Sequence, residues 1–273
     1  MMRTAFKKMH GLGNDFVILD ARAQPVAMTA TRAAALANRH SGIGCDQLIL
    51  LEPSARAAVK MRIFNADGSE VAACGNATRC VAAILGSEGI AESRIETAAG
   101  LLEATTDGQD ATVDMGTPRF AWEDIPLGYA MDTAAMPVAW DGLSAPMAVN
   151  VGNPHVVFFV KDLDAVALDA LGPLIEHDPL FPERVNVNVA QVTGPNALKL
   201  AVWERGAGLT QACGTGACAT AVAAIRQGKV QSPVTVSLPG GDLVISWAPG
   251  EHILMQGPAT FVFEGEIDWA HFP

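Results

Sequence analysis

Two cysteines in the chain lie in nearly identical local sequences. Cys74 lies in the segment Ala73–Thr78, and Cys213 lies 139 positions later in the segment Ala212–Ala217. Each segment opens a run of small apolar residues. The pKa of a thiol falls at the N-terminus of a helix, where unpaired backbone N–H groups favour an anion. Two such thiols predict a pair of acid/base groups that act on opposite faces of one carbon atom.

Other uses of cysteine fit this pattern less well. The two cysteines have no C-x-x-C spacing and no accompanying histidine cluster, so the sequence predicts no metal site. A nucleophilic Cys–His pair requires only one cysteine and leaves the second copy unexplained. The buried structural role that is typical of a lone cysteine fits Cys45, Cys80 and Cys218 instead.

The cysteine motifs belong to a duplication that extends along the chain. Three further pairs of segments align at the same offset without a gap: Gly13–Asn14 with Gly152–Asn153, Gln47 with Asn186, and Lys60–Asn65 with Lys199–Glu204. An offset shared by separated segments indicates two copies of one structural unit. We therefore predict one domain over residues 1–118 together with about 263–273, and a second over residues 119–262. Residues 118–141 have no partner at this offset and form the predicted connector.

Both halves contain the same predicted order of strands, one helix and further strands. The predicted helices, 76–87 and 215–227, begin just after the cysteines and are apolar nearly all round, which is typical of burial. Strands are predicted at 16–20, 47–51, 59–65, 93–97, 101–106 and 110–115, and at 156–160, 185–189, 198–204, 233–238, 242–247 and 251–256. The prediction is an α/β (α+β) fold of two pseudo-symmetric domains. Each is a curved, mostly antiparallel sheet or barrel around a buried central helix.

The overall composition limits the partners. The chain has 273 residues, half of them hydrophobic, and its formal net charge of -11 disfavours nucleic acid or an anionic membrane. No apolar run is long enough for a transmembrane helix, and the N-terminal segment lacks the apolar stretch of a secretion signal. Five cysteines, an odd number, are compatible with a reducing compartment. We therefore predict a cytoplasmic protein that acts on a small molecule.

Polar residues near the cysteines predict a site for a zwitterion. Each amide alone is typical of a turn, but together five amides offer donors and acceptors without net charge: Asn14, Gln47, Asn65, Asn153 and Asn186. Backbone N–H groups for a carboxylate are expected at the helix starts, from Gly75, Asn76, Gly214 and Thr215. Arg205 is a candidate bidentate clamp for a carboxylate, and His155 is a candidate to adjust the pKa of one thiol.

The motifs of common cofactor sites are missing from the sequence. The segment Gly11–Asn14 lacks the third glycine of a dinucleotide fingerprint and precedes a predicted strand. The sequence has no P-loop, and no lysine lies in a recognisable pyridoxal phosphate context. We therefore predict that the protein uses no cofactor.

The ordered motifs resemble the diaminopimelate epimerase family. The resemblance extends from about residue 8 to residue 258 and is carried by Lys8–Phe16, Phe64–Glu70, Ala73–Cys80, Gly152–His155, Glu204–Gly208 and Ala212–Ala217. It implies a cofactor-independent epimerase that interconverts LL- and meso-diaminopimelate in lysine and peptidoglycan-precursor biosynthesis. It also implies the family's two-domain fold and a homodimer.

The resemblance also implies roles for individual residues. Cys74 and Cys213 match the acid/base pair, and His155 and Glu204 match an auxiliary pair that assists the cysteines. Gly75, Asn76, Gly214 and Thr215 match the residues that hold the reacting α-carboxylate. The substrate-lining positions are Asn14, Gln47, Asn65, Asn153, Asn186, Glu204 and Arg205, with Arg205 at the distal carboxylate. The chain departs from the family at Leu209, where the family often has glutamate.

Three alternatives stay open at this point. A related proline or hydroxyproline racemase uses the same pair of thiols, but Arg205 and the amides favour a longer amino acid with two charged ends. A thiol redox protein would use Cys74 and Cys213 as a disulfide pair, and turnover of the reduced protein would exclude a purely redox role. A non-catalytic amino-acid binding protein fits least, because binding requires no paired thiols.

Overall fold

The computed structural model describes residues 3–272 and contains two compact units. The first unit runs to Val113 and resumes at Gly257, and the second comprises Asp114–Gln256. These limits differ by a few residues from the boundaries at 118 and 262 that the sequence predicts. Residues 118–141 lie in the second unit, where the main chain of Arg119 pairs with that of Asn150.

Among the described residues, the first unit contains two α-helices and ten strands, including strands that lie only partly in it. Its elements are β1 (Arg3–Gly11), β2 (Asn14–Asp20), α1 (Ala30–Ala37), β3 (Gln47–Glu52), β4 (Val59–Asn65), β5 (Glu70–Val71), α2 (Gly75–Ser87), β6 (Glu92–Thr97), β7 (Gly100–Thr106) and β8 (Asp110–Asp114). The second unit contains β9 (Ala139–Trp140), β10 (Leu143–Ser144), β11 (Met147–Asn150), β12 (Pro154–Val160), α3 (Leu168–Glu176), β13 (Asn186–Gly194), β14 (Ala197–Glu204), β15 (Gly208–Leu209), α4 (Gly214–Arg226), β16 (Val234–Leu238), β17 (Gly241–Ser246) and most of β18 (Leu254–Pro258). The chain ends in the first unit with β19 (Thr260–Asp268) and the 3₁₀ helix Trp269–His271.

The strand pairing repeats from one unit to the next. In the first unit β2–β3 and β4–β6 are parallel, and β1–β2, β3–β4, β4–β5, β6–β7 and β1–β19 are antiparallel. In the second unit β12–β13 and β14–β16 are parallel, and β11–β12, β13–β14, β14–β15 and β16–β17 are antiparallel. The predicted α/β class with mostly antiparallel sheets is therefore confirmed.

The helices α2 and α4 lie at equivalent positions and start directly after the cysteines. Each has 13 residues, and the sequence prediction places their ends within one residue. Helix α4 packs against strands β11 to β14 and against β16 and β17, and its small side chains are almost all buried. The close packing requires glycine at Gly216, because a Cβ atom there would lie 2.8 Å from Asn188 Oδ1. The prediction of buried central helices is confirmed.

A second helix, α1 or α3, packs against a separate apolar layer in each unit. In the second unit Val187 and Val189 of β13 belong to this layer with Ile175 of α3. Side chains alternate along a strand, so Asn186 and Asn188 of β13 point to the opposite face, which carries the site. The sequence pattern predicts neither α1 nor α3, because α1 has only eight residues and α3 contains Pro173. None of the helices in the described chain is long and apolar enough to cross a membrane.

Candidate functional site

Each of the two cysteines occupies the N-cap of a buried central helix. The backbone of Cys74 and of Cys213 is extended, and helix α2 or α4 begins at the following glycine. Cys74 is half-buried, whereas Cys213 is only 4% exposed. The Gly216 N–H group donates to Cys213 Sγ at 3.3 Å, which is the normal N-cap contact. Both thiols therefore lie where the first helical N–H groups can also hold an anion.

In the first unit, the side chain of Asn14 lies beside the start of α2. Its Oδ1 accepts a hydrogen bond from Asn76 Nδ2 at 3.2 Å and lies 4.0 Å from Cys74 Sγ. Its Nδ2 donates to Asp46 Oδ2 at 3.0 Å. Because a carboxylate only accepts, Asp46 fixes the orientation of the amide. The amide of Asn14 therefore presents its oxygen to the thiol of Cys74.

Asp46 belongs to a cluster of charged side chains. Arg39 donates to Asp46 Oδ1 at 2.7 Å and to both oxygens of Asp15 at 2.6 and 3.1 Å. Lys8, which is buried, donates to Asp15 and to the Gly44 carbonyl. Burial alone would raise the pKa of Asp15, but the hydrogen bonds from Arg39 and Lys8 outweigh it and hold that pKa well below its ordinary value.

Gln47 and Asn65 form a polar pair across β3 and β4. They are direct cross-strand neighbours, and Gln47 Nε2 donates to Asn65 Oδ1 at 3.0 Å. Asn65 Nδ2 donates to Ser69 Oγ at 3.1 Å. Gln47 Oε1 is buried without a partner among the described residues. That oxygen is suited to accept a hydrogen bond from a ligand, since buried polar atoms usually have a partner.

In the second unit, Glu204 lies beside Cys213. Thr210 Oγ1 donates to Glu204 Oε1 at 2.5 Å, and Thr215 Oγ1 lies 3.5 Å from Cys213 Sγ. Burial and then the charge of Glu204 raise the pKa of the Cys213 thiol well above its ordinary value, although contacts from Thr215 and Gly216 oppose this. The expectation that the helix start lowers the thiol pKa is therefore wrong for Cys213. Loss of solvation outweighs the field of the helix there.

His155 is fully buried and lies between two amides. Its Nε2 atom is 2.9 Å from Asn153 Oδ1, and its Nδ1 atom is 3.0 Å from Asn188 Nδ2. Burial is the main cause that lowers the pKa of His155 to about 3, so the ring is neutral at physiological pH. Within the second unit the structure brings His155 to Asn153 and Asn188 rather than to the thiol of Cys213. Its predicted role beside a thiol stays a prediction.

The side chain of Asn186 forms hydrogen bonds with the main chain of two residues, one of which is Arg205. Asn186 Nδ2 donates to the Pro154 carbonyl at 2.8 Å, and its Oδ1 accepts from the Arg205 N–H group at 3.0 Å. The amide of Asn186 is thus used to join two loops of the site. Arg205 is exposed, its Nη1 donates to the Glu183 carbonyl at 3.0 Å, and it lines an open cavity of about 390 Å³ together with Asn153.

Several residues that support the site were not singled out from the sequence. They are Asp46, Glu176, Asn188 and Thr210. Glu176 is buried and accepts from Trp203 Nε1 at 2.7 Å and from the Gly206 N–H group at 2.9 Å, so it holds the turn that carries Arg205. Strand alternation was the available signal for Asn188, which lies two residues after Asn186 on β13.

The arrangement within each unit suits proton transfer beside a bound carboxylate. Each unit supplies one thiol, the start of a buried helix next to it, and uncharged amides. Among residues 3–272, no group of three or more histidine, cysteine, aspartate or glutamate side chains is placed to hold a metal ion. The thiols, amides and helix starts described above suit general acid/base catalysis with hydrogen-bond stabilisation of an anion.

Comparison with known proteins gives a consistent result. A sequence model of the family described as diaminopimelate epimerase matches residues 6–121 and again residues 147–262. The diaminopimelate epimerase of Sphingopyxis alaskensis is 68% identical over 271 residues, which cover 99% of this chain and 100% of that protein. The diaminopimelate epimerase of Rhizorhabdus wittichii is 66% identical, with 99% of this chain and 98% of that protein covered.

Solved structures show that the fold is shared more widely. A phenazine biosynthesis protein of the PhzF family from Bacillus anthracis has a TM-score of 0.70 at 17% identity, with 98% of this chain and 99% of that chain covered. A hydroxyproline epimerase from Agrobacterium vitis with bound trans-4-OH-L-proline has a TM-score of 0.66 at 16% identity, with 97% and 92% covered. At these identities the likeness shows the fold alone.

Proposed function

The chain belongs to the diaminopimelate epimerase family, and from this premise we propose that it converts LL-2,6-diaminopimelate to meso-diaminopimelate by a two-base mechanism without a cofactor. The reaction serves lysine and peptidoglycan-precursor biosynthesis. The observation that carries the proposal is the repeated placement of a cysteine at the N-cap of a buried central helix, once in each unit. One base for each face of the α-carbon is what inversion of a stereocentre requires.

In the proposed reaction one cysteine acts as the base and the other as the acid, and the two roles are reversed when the reaction runs in the opposite direction. The thiolate of one cysteine removes the α-proton, and the thiol of the other delivers a proton to the opposite face. One proton enters and one leaves, so no oxidant, reductant or other co-reactant is needed. General acid/base catalysis typically contributes 10²–10⁴-fold, so the carbanion must also be stabilised electrostatically.

Glu204 is proposed to act with Cys213 as an acid/base pair. The raised pKa of the Cys213 thiol keeps it protonated, which suits a proton donor. When Cys213 must act as a base, the neighbouring carboxylate of Glu204 is placed to take up the thiol proton. Thr210 holds that carboxylate through its 2.5 Å hydrogen bond.

We infer the substrate contacts from the polar groups that each unit places near its cysteine. We assign the reacting α-carboxylate to the helix starts, where Gly75, Asn76, Gly214 and Thr215 provide N–H groups. The distal carboxylate is assigned to Arg205, which is exposed and lines the open cavity with Asn153. Asn14, Gln47, Asn65 and Asn186 complete the proposed lining, and His155 is retained as a proposed auxiliary residue.

Hydrogen exchange at the α-carbon tests the proposal directly. Purified protein in D₂O, with a reductant and no added cofactor, is expected to incorporate deuterium into diaminopimelate but not into proline. Cys74→Ala and Cys213→Ala are each expected to abolish epimerisation. Near wild-type turnover in either variant would exclude the two-base mechanism. Exchange into proline would favour the related racemase, and a reduced protein without turnover would leave the redox alternative.

We further propose a cytoplasmic homodimer. Three consecutive apolar residues of β19, Phe261, Val262 and Phe263, are 52%, 51% and 45% exposed. A contiguous exposed apolar segment of this kind is a candidate surface for a second copy of the chain. Light scattering should give twice the monomer mass for the wild type and the monomer mass for Val262→Asp. Val192→Asp, at an exposed valine of β13, is the matched control and should stay dimeric.

A further inference from the structure

Asn188 makes contacts that fix the direction of its amide. It is fully buried on β13, and its Nδ2 atom lies 3.2 Å from the Val156 carbonyl oxygen and 3.0 Å from His155 Nδ1. A backbone carbonyl can only accept a hydrogen bond, so the NH₂ group of Asn188 must face Val156. The second hydrogen of the same NH₂ group then points to the imidazole ring.

This direction determines where the proton of His155 lies. Because Nδ1 accepts from Asn188, it carries no hydrogen, and the proton of the neutral ring is on Nε2. Nε2 therefore donates to Asn153 Oδ1, 2.9 Å away. The NH₂ group of Asn153 is consequently turned the other way, toward Thr215 Oγ1 at 3.4 Å. A backbone carbonyl in the sheet thus sets the direction of an amide at the start of α4.

We propose that Asn188 is a positioning residue that acts through His155 to hold the NH₂ group of Asn153 toward the helix start that carries Cys213. The inference deepens the proposed function and rests on it for the role of Asn153 in substrate binding. It assigns His155 the task of an uncharged N–H donor. In this assignment His155 assists the site as a hydrogen-bond donor rather than as a proton carrier.

Two observations argue that these polar residues are not required by the fold. At the equivalent positions of the first unit, 139 residues earlier, the chain has Ile49 and Phe16, both fully buried. An apolar pair therefore supports the same strands there. In addition, Asn188 Oδ1 is buried without a partner among residues 3–272, which destabilises the folded state. A polar residue with that cost points to a role in the site.

The protonation state of His155 gives a test that does not require turnover. Nitrogen-15 NMR of the imidazole groups at neutral pH should show one buried, neutral histidine with its proton on Nε2. The chain has six histidines, and His155→Gln identifies the signal by its loss. In Asn188→Leu, which removes the donor at similar volume, the signal should change to a mixture of both neutral tautomers. A proton on Nδ1, a charged ring, or an unchanged tautomer in Asn188→Leu would overturn the inference.

Kinetics then separate positioning from a general loss of structure. Asn188→Leu should raise KM for diaminopimelate roughly tenfold and change kcat much less, since one oriented hydrogen bond to substrate is lost. Val189→Ala, on the opposite face of β13, is the matched control. It should lower the unfolding temperature and leave both KM and the tautomer unchanged. An equal rise of KM in both variants would mean that Asn188 acts only through stability.

Substitution of His155 itself distinguishes an N–H donor from a proton carrier. His155→Gln keeps a donor near the position of Nε2, whereas His155→Phe places there the residue that the first unit carries. We expect His155→Gln to retain kcat/KM within about tenfold of wild type and His155→Phe to lose roughly a hundredfold. Equal losses would show that proton transfer by His155 is needed, and the inference would fail. If wild-type protein shows the expected tautomer but no epimerisation, the proposed function fails and the tautomer assignment stands.

Discussion

The two units hold equivalent asparagines by different chemistry. Asn14 is oriented by the carboxylate of Asp46, which is part of a charged cluster that includes the exposed Arg39. Asn153 is oriented by the ring of His155, which is neutral and fully buried. The two amides consequently present opposite ends to the adjacent helix start. The oxygen of Asn14 faces the start of α2, and the NH₂ group of Asn153 faces the start of α4.

The difference teaches that a duplicated domain can keep the backbone position of an asparagine and yet change which side of its amide, the acceptor or the donor, faces the helix start. Two identical copies would present the same hydrogen-bonding groups beside both cysteines. Here an acceptor lies beside Cys74, while a donor and the carboxylate of Glu204 lie on the side of Cys213. Salt screens the exposed charges of Asp46 and Arg39 that orient Asn14, whereas it does not affect the buried, neutral ring of His155 that orients Asn153.

The largest effect is expected from Glu204→Gln. Removal of the charge should lower the pKa of the Cys213 thiol but leave it above its ordinary value, because burial is the main cause of the shift. We expect kcat to fall roughly a hundredfold, the usual scale for loss of an acid/base partner. The ultraviolet absorbance of the thiolate as a function of pH measures the pKa, with Cys213→Ala to assign the signal. Glu251→Gln, at an exposed glutamate of the same unit, is the control.

A rise or no change in the Cys213 pKa in Glu204→Gln would contradict the described contacts. An unchanged kcat with a lowered pKa would show instead that the carboxylate shifts the thiol without taking part in the reaction.

The second effect concerns stability as a function of pH. The folded pKa of His155 is about 3, below the unfolded value of 6.5, so the folded state binds fewer protons between these values. The stabilisation is present above pH 6.5 and is lost as the pH falls toward 3. At pH 5 the loss is about 2 kcal/mol. Urea unfolding at pH 7 and pH 5 should show this slope in wild type and a reduced slope in His155→Gln.

Asp15 provides the counterpart from the first unit. Its folded pKa lies below its ordinary value, so its stabilisation is present above the unfolded pKa of 3.8 and is lost only at lower pH. Asp15→Asn should therefore leave the slope between pH 7 and pH 5 unchanged. Equal slopes for His155→Gln and wild type would mean that the ring is not held neutral by burial.

The sequence predicts the repeated parts of the molecule better than their differences. The ends of α2 and α4 follow from the cysteine motif and the small apolar run after it, which are local signals. The direction of an amide is not local. Asn14 is oriented by a residue 32 positions away, and His155 by one 33 positions away. Periodicity tells which face of a strand a residue lies on but not which partner it meets there.

The error about the pKa of Cys213 has the same origin. The helix start is visible in the sequence, and its effect on a thiol has a known sign. The opposing effects are the depth of burial and the carboxylate of Glu204, the last residue of β14. Because loss of solvation depends on everything packed around an atom, its magnitude could not be obtained from a motif.

A smaller effect is expected from Asp46→Asn. The substitution removes the carboxylate that fixes Asn14, so that amide can turn in either direction. We expect kcat/KM to fall roughly tenfold, the value of one oriented hydrogen bond. Asp107→Asn, at an exposed turn of the same unit, is the control and should keep wild-type kinetics. A loss of kcat/KM in Asp46→Asn that is no larger than in the control would show that the carboxylate of Asp46 does not orient Asn14 for activity.

The smallest effect is expected at Leu209, where the family resemblance leads to the expectation of a glutamate. The equivalent residue of the first unit is Glu70, which pairs with Arg62 at 2.8 and 2.9 Å. The residue equivalent to Arg62 in the second unit is Ala201, so a glutamate at position 209 would have no arginine partner there.

Because Leu209 is half-exposed, Leu209→Glu should change the free energy of unfolding by less than about 0.5 kcal/mol and turnover by less than about twofold. Glu70→Leu should cost about 0.5–1 kcal/mol in urea unfolding, since it removes an exposed ion pair with good geometry. A larger loss in Leu209→Glu than in Glu70→Leu would show that position 209 supports the half-site of Cys213 in a way that its counterpart does not support Cys74.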